Sequence, residues 1–434
     1  MLFPQVRRVA AALSRSVIGV CGIALPALAF QGFPAQSGEV DRKHDPGHEP
    51  SHPASTPALP LLEREHLLGD LAGARTDWGS AGVDFEVLIS SEASRVLAGG
   101  LDTSRTLWRS LVDAQCVLDA QRLWGIEGGE LLVLAQYQDG DDGVRAVGDA
   151  QGYSNIDADT RAQISKLWWY QEFVDAGLWA KLGKIDVNSD FAYTEHGAPF
   201  LNSSLGYSPT LVGFPTYPDP SFGGQLVWEM LSDWRLSAGV FDGAGESGYS
   251  TGSRGSSTLF GAPDDVFAIA ELACAWRAEG GARPGRIGVG AWHHSARFQR
   301  FDGGDEQGTQ GLYVVADQTL LGAPDADRQL GCFAQFATAD EDTSELSRHL
   351  GFGVTWRGCA LGLGLDLCGV ALTSVEFSDA AGFRAERETV LELFASFVLA
   401  PWLRLKPDLQ FIDDPGGMGA EDAWVATLRT TWSL

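Results

Sequence analysis

The chain has 434 residues, with 57 Asp and Glu against 31 Lys and Arg, for a formal net charge of -26 and a mean hydropathy near zero. So acidic a chain is a poor partner for the phosphate backbone of nucleic acid. Gly 53, Trp 14 and Phe 22 beside only 3 Met favour strands and turns over long helices, so the length suits one large barrel better than two or three soluble domains.

Arg7, Arg8 and Arg15 precede an apolar run from Val17 to Ala29 that closes on Ala27-Leu28-Ala29, the pattern of a secretion signal. Residues 1–29 are therefore expected to leave by cleavage before Phe30, which removes those three arginines and takes the charge from -26 to -29. A lipoprotein site at Cys21 is disfavoured because Val20 is too large for its cleavage. Residues 30–60, rich in Pro, Ser and Gly, read as a disordered periplasmic linker. His44, His48 and His52 recur within it every four residues, but Pro46 and Pro50 prevent the helix that would align them on a metal. Residues 61–82 hold a short periplasmic helical segment. Cys116, Cys274, Cys332, Cys359 and Cys368 are an odd, scattered set and read as small apolar residues.

Beyond the signal, no stretch reaches the 18 or so apolar residues of a spanning helix, leaving an exported soluble protein or a transmembrane barrel. From Val83 to Leu434 the sequence predicts an all-β fold, a 16-stranded antiparallel transmembrane β-barrel. Its segments of about ten residues start near Val83, Leu107, Glu130, Arg161, Leu178, Phe222, Trp234, Val266, Gly285, Gly308, Gln329, Ser347, Cys359, Arg387, Trp402 and Asp422. Leu403, Leu405, Leu409 and Phe411 alternate with Arg404, Lys406, Asp408 and Gln410, one face for lipid and one for a wet lumen. In the last strand Trp424, Ala426, Leu428 and Trp432 take the lipid side, with the two tryptophans at the interfacial girdles. Tight joins at Asp175-Ala176-Gly177, Ser232-Asp233, Arg357-Gly358 and Ala400-Pro401 alternate with long ones at 139–160, 188–221, 242–265 and 371–386. A barrel with short periplasmic turns and long outer loops requires that alternation, and a soluble sandwich does not.

A small polar solute passes a constriction well where aromatic faces meet its C–H surface and charged or amide groups meet its polar groups. Lys166, Trp168, Tyr170 and Glu172 share the face of the fourth strand that carries both charges, so that face is assigned to the lumen; a one-residue slip would send it to lipid. The join 188–221, with Phe200-Leu201-Asn202 and prolines at 209, 215, 218 and 220, is the best loop to fold inward, placing Asp190, Glu195 and Asn202 in the constriction. The alternative is a loop packed on its own rim or on another subunit. Arg404, Lys406, Asp408 and Arg429 are the remaining pore-lining candidates, for a field across the lumen. Excess acid on the loops and wall would favour cations.

Catalytic motifs lack their settings. Gly248-Tyr249-Ser250-Thr251-Gly252 and Gly243-Ala244-Gly245-Glu246-Ser247-Gly248 lie in one Gly/Ser-rich loop, without the strand-turn-helix or βαβ context they need. His293 and His294 point to opposite faces of a strand, and His196 beside Glu195 lacks a nucleophile. No catalytic residue, metal or cofactor is expected.

Four stretches resemble the carbohydrate-selective porin family of bacterial outer membranes, covering Leu68 to Leu434. They are Gly69 to Val83, where Arg75-Thr76 match but Leu71-Ala72 replaces Trp-Gly; Gly148-Asp149-Ala150-Gln151-Gly152-Tyr153-Ser154-Asn155-Ile156; Gly183-Lys184-Ile185-Asp186 with Phe200 to Gly206; and Pro401-Trp402 through Asp408-Leu409-Gln410 to Gly417. The resemblance implies a sixteen-stranded Gram-negative outer-membrane porin for passive diffusion of carbohydrates and other small hydrophilic solutes. It implies outer-membrane lipid around the barrel, both termini periplasmic and, by analogy with porins, a homotrimer. A general cation-favouring porin, a barrel esterase using Ser250 and a plugged structural barrel are the alternatives.

Overall fold

The computed structural model describes residues 60–231, 233–248, 262–277, 283–322, 328–358 and 365–434. The strands are β1 (Val83–Gly100), β2 (Thr106–Asp119), β3 (Gly129–Gly140), β4 (Arg161–Phe173), β5 (Leu178–Ile185), β6 (Ser221–Leu231), β7 (Trp234–Asp242) and β8 (Val266–Trp276). They continue with β9 (Gly285–Gln299), β10 (Asp305–Leu321), β11 (Gln329–Ala339), β12 (Leu346–Arg357), β13 (Leu365–Phe377), β14 (Arg387–Ala400), β15 (Leu403–Asp413) and β16 (Glu421–Ser433). Each pairs antiparallel with its sequence neighbours, and β1 pairs with β16 from Leu88↔Ser433 to Gly100↔Glu421, so the sheet closes and no edge strand is left.

The period of two decides what each face meets. Leu226, Val289, Leu312, Phe352 and Leu428 stand exposed on the outside, as a lipid-facing surface must. In β16, Trp424 lies against Phe411 and Trp432 stacks on Trp402, with ring centroids 5.7 Å apart in the latter pair, at opposite ends of the strand. Thr427 and Arg429 turn inward and are buried.

Several expectations need adjustment. Strand lengths run from 8 residues in β5 to 18 in β1, not a uniform ten. β10 begins at Asp305 rather than Gly308, because Gly308, at φ 87°, marks a bulge that the strand crosses. β13 is described from Leu365, and its expected start, Cys359, lies outside the described residues. With the end of the barrel that holds Leu434 labelled inner and the opposite end outer, the alternation of joins is also looser than expected, since the outer joins at 101–105 and 300–304 are short and the inner join at 120–128 carries a helix, Ala120–Trp124. The strand β13 occupies 371–377, so the outer loop there spans only 378–386.

The hydrophobic core sits inside the barrel. The third outer loop, residues 186–220 (L3), enters the lumen and packs Phe191, Leu211 and Phe214 on Phe241, Phe267, Ile269, Trp292, Tyr313 and Val315 of the wall. Phe200 and Leu205 of the same loop meet Phe333 and Phe394, with Phe200 edge-on to Phe394 at 4.9 Å. The second outer loop, residues 141–160 (L2), packs Val147 and Tyr153 on Val96, Leu107, Val390, Ile412 and Val425. Each such large side chain contributes about 1.5–3 kcal/mol on burial. Inward apolar residues on β7 to β11 are thus explained: they carry a loop rather than face water.

Below, residues 60–82 lie across the β1–β16 seam at the end of the barrel that holds Leu434, the inner end. Helix α1 (Ala74–Ala81) starts where Asp70 accepts from the backbone N–H and the hydroxyl of Thr76, both at 2.9 Å. Arg75 then donates to the carbonyls of Phe85 at 2.6 Å and Leu434 at 2.7 Å, and Trp402 Nε1 donates to Leu61. Of the Arg75-Thr76 pair singled out in the sequence, Arg75 is a clasp across the seam and Thr76 fixes the start of the helix.

Candidate functional site

Wall carboxylates hold the loops in the lumen. Glu271 on β8 accepts from the N–H of Ala192, Asp317 on β10 from those of Glu195 and His196, and Glu392 on β14 from those of Leu201 and Asn202, at 2.6–3.1 Å. Glu388, also on β14, accepts from Ala150, Gln151 and Gly416. A buried carboxylate is tolerable only with such donors, and charge-assisted bonds to backbone N–H groups are the strong kind. Gly331 on β11 completes the seat: a Cβ there would collide with the imidazole of His196, whose Nδ1 lies 3.0 Å from the Thr355 hydroxyl. Burial, with Arg357 nearby, lowers the His196 pKa from 6.5 to about 4, so the ring is neutral at its seat.

The two loops are also bonded to each other. Asn155 N–H donates to Leu201 at 2.7 Å, Ser203 N–H to Gly152 at 2.9 Å, and the Tyr217 hydroxyl to Ile156 at 3.2 Å. L2 and L3 therefore form one shelf across the lumen. Beneath L2, Arg109 on β2 contacts Glu92 at 3.1 Å, Asp157 at 3.5 Å and the Tyr153 hydroxyl, while Arg429 reaches Glu92 and Asn155. Asp157 is nonetheless raised to about 6, since its burial outweighs the attraction of Arg109. Asp149 is raised by burial and by the nearby Glu388 carboxylate.

A cavity of about 520 Å³ opens between the shelf and the inner half of the wall. Glu86, Asp113, Gln115 and Gln136 line it on β1 to β3, and Arg277, Thr319, Gln329, Thr355 and Arg357 on the far side. Tyr193, Tyr207 and Tyr217 of L3 supply its aromatic surface.

Of the residues the sequence nominated, Lys166, Glu195 and Arg429 line this cavity. Lys166 pairs with Asp186 at 3.0 Å, and Arg429 is held by Glu92. Trp168 is directed inward, but its ring carries the Lys181 ammonium 4.9 Å from the centroid, and Lys181 is bonded to Asp190 at 2.7 Å. Tyr170 packs on Trp179, and Glu172 is exposed near the inner end of β4. Asn202 is fully enclosed: its side chain accepts from Ser204 N–H and donates to Gln410, so it fixes the loop. Lys406 donates to the Pro199 carbonyl, Asp408 is buried beside Gln410, and exposed Arg404 pairs with Asp366 at 3.0 Å. These groups are divided between shelf support and rim rather than gathered at one constriction.

Sequence reasoning missed the inward course of L2, the Glu92–Arg109 pair and the cavity residues Asp113, Tyr193, Arg277 and Arg357. One signal was present, since L3 carries Tyr193, Tyr207 and Tyr217, a density that a purely exposed loop does not need. Ser250 and the histidines at 44, 48 and 52 lie outside the described residues. Among the described residues, no group of three or more His, Cys, Asp or Glu is arranged to hold a metal ion.

Comparisons with known proteins agree with this architecture. The family described as "Carbohydrate-selective porin, OprB family" matches residues 112–434. Porin B of Pseudomonas aeruginosa is 22% identical over 416 residues, covering 84% of this chain and 90% of that protein. The putative porin QuiX of Acinetobacter baylyi is 21% identical over 418 residues, covering 84% and 92% respectively. Among solved structures, the high pH structure of Pseudomonas putida OprB superposes with a TM-score of 0.74 at 19% identity, covering 86% of this chain and 99% of that one. The low pH structure of the same protein gives a TM-score of 0.58 at 18% identity.

Proposed function

This chain belongs to the carbohydrate-selective porin, OprB family and is an outer-membrane sugar porin, and from that premise we propose the route by which its solutes cross. Sugars enter from the outer mouth, pass the edge of the L2–L3 shelf and leave through the inner cavity, driven by their own gradient. The observation that carries this route is the 520 Å³ cavity, lined by Gln115, Gln136, Thr319, Gln329 and Thr355 together with three tyrosines. Amides and hydroxyls exchange hydrogen bonds with sugar hydroxyls, and tyrosine faces meet their C–H surface, so a sugar loses little on leaving water and is not trapped. Lys166, Glu195 and Arg429 are the nominated residues that such a solute would touch. The others act through the shelf or the rim.

The reading includes export by the signal at residues 1–29, both mature termini in the periplasm, a homotrimer in outer-membrane lipid, and no catalysed reaction. Its test is swelling of liposomes carrying the refolded protein, with a monosaccharide, a disaccharide and an amino acid of similar size. Faster swelling with the sugars is expected. Ser189→Trp, which places a bulky ring at the cavity wall, should roughly halve the sugar rate, whereas Leu312→Trp on the lipid face should leave it unchanged. Equal rates in the two variants would remove the cavity from the path.

A further inference from the structure

The cavity walls are chemically unlike. In a ring of sixteen strands β2 and β10 stand diametrically opposite. The β1 to β3 side presents the carboxylates Glu86 and Asp113, with Asp113 accepting from Gln136 at 2.9 Å. The β8 to β12 side presents Arg277 and Arg357 with Thr319, Gln329 and Thr355 between them in strand order. Three acids on the strands of this side or the next one are occupied. Asp317 is occupied by two L3 N–H groups, and Glu271 by Ala192, the Tyr313 hydroxyl and Arg286. Asp366 is taken by Arg404. Neither Arg277 nor Arg357 makes an ion pair among the described residues, and both side chains reach solvent. Glu195 of L3 also lines the cavity, and among the described residues it pairs with neither arginine.

We propose that Arg277 and Arg357 make the inner vestibule select carbohydrates that bear a carboxylate, sugar acids, over neutral sugars of the same size. The inference deepens the sugar-pore reading and rests on it. A guanidinium offers paired N–H donors in the geometry of a carboxylate, while the neighbouring threonines and glutamine serve the remaining hydroxyls. An arginine already paired within the wall would offer a passing solute little. Two unpaired ones on the wall of a water-filled pore lower the barrier for an anion and leave a hydroxyl-only solute with ordinary hydrogen bonds. The wall carboxylates do not cancel this effect, because L3 has engaged Glu271 and Asp317, and Glu86 and Asp113 stand on the opposite wall.

The test is initial uptake of labelled galacturonate and galactose, alone and together, into liposomes carrying the whole protein, at low ionic strength. The wild-type uptake ratio of acid to neutral sugar should fall roughly threefold in Arg277→Gln/Arg357→Gln, should recover largely in the double Lys variant, and should rise in Glu195→Gln. Added salt should compress the wild-type ratio towards that of the double Gln variant. A ratio indifferent to all three variants would overturn the proposal while leaving the sugar pore intact. Exclusion of both sugars by the wild type would overturn the pore reading, and the proposal with it.

Discussion

The outer and inner halves of the lumen use the same residue types for opposite ends. Under the loops that fill the outer half, Glu271, Asp317, Glu388 and Glu392 are buried and each accepts backbone N–H groups from a loop, so their charge acts within bonding distance. In the inner half, Glu86, Arg277 and Arg357 face an open cavity, where charge acts across water. A carboxylate count therefore says little about what a pore admits. The acids of this chain include a set of loop anchors, so the excess of acid does not by itself set which ion the passage favours.

The comparison predicts that anchors and rim groups respond very differently to removal. The largest effect is expected for Glu271→Ala, which strips the acceptor from Ala192 and leaves Arg286 buried without its partner. A loss of about 3–5 kcal/mol in denaturant unfolding is expected, with larger and noisier single-channel conductance as L3 loosens. A loss under about 1 kcal/mol would mean that the anchors are incidental.

A smaller effect follows from pH. His196 is neutral in its seat against Gly331, with a pKa lowered to about 4 from 6.5. A depressed pKa gives stability that is present above 6.5 and lost as the pH falls towards 4, because only the unseated ring binds the proton readily. L3 should thus loosen between those values, seen as growing conductance fluctuation on acidification. His196→Phe should abolish that dependence, and its persistence in the variant would place the titrating group elsewhere.

The smallest change is expected for Arg404→Gln. Its pair with Asp366 is exposed, so stability should shift by no more than about 0.5 kcal/mol in the same denaturant assay. A shift as large as that of Glu271→Ala would erase the distinction between the two halves.

Strand positions were largely legible because lipid and water impose a period of two that the residues of β15 and β16 display openly. Where the starts slipped, the cause was local. The bulge at Gly308 imitated a boundary, and the unpaired Ser165 shifts the face of β4, so that Gln163 and Lys166 both turn inward although three residues apart. The site was less legible. Inward Phe241, Phe267 and Trp292 look alike in sequence whether they meet a loop or water. The acceptor of a loop N–H is fixed only by the closed barrel, so Glu392 and Asn202 could not be recognised as anchor and cap.

The bonds between L2 and L3 have an electrical consequence. Gly152, Asn155 and Ile156 on one loop are tied to Ser203, Leu201 and Tyr217 on the other, so neither segment can flicker without drawing its neighbour along. In a current recording, such a pair behaves as one switch rather than two, with a single relaxation time and one family of partial closures.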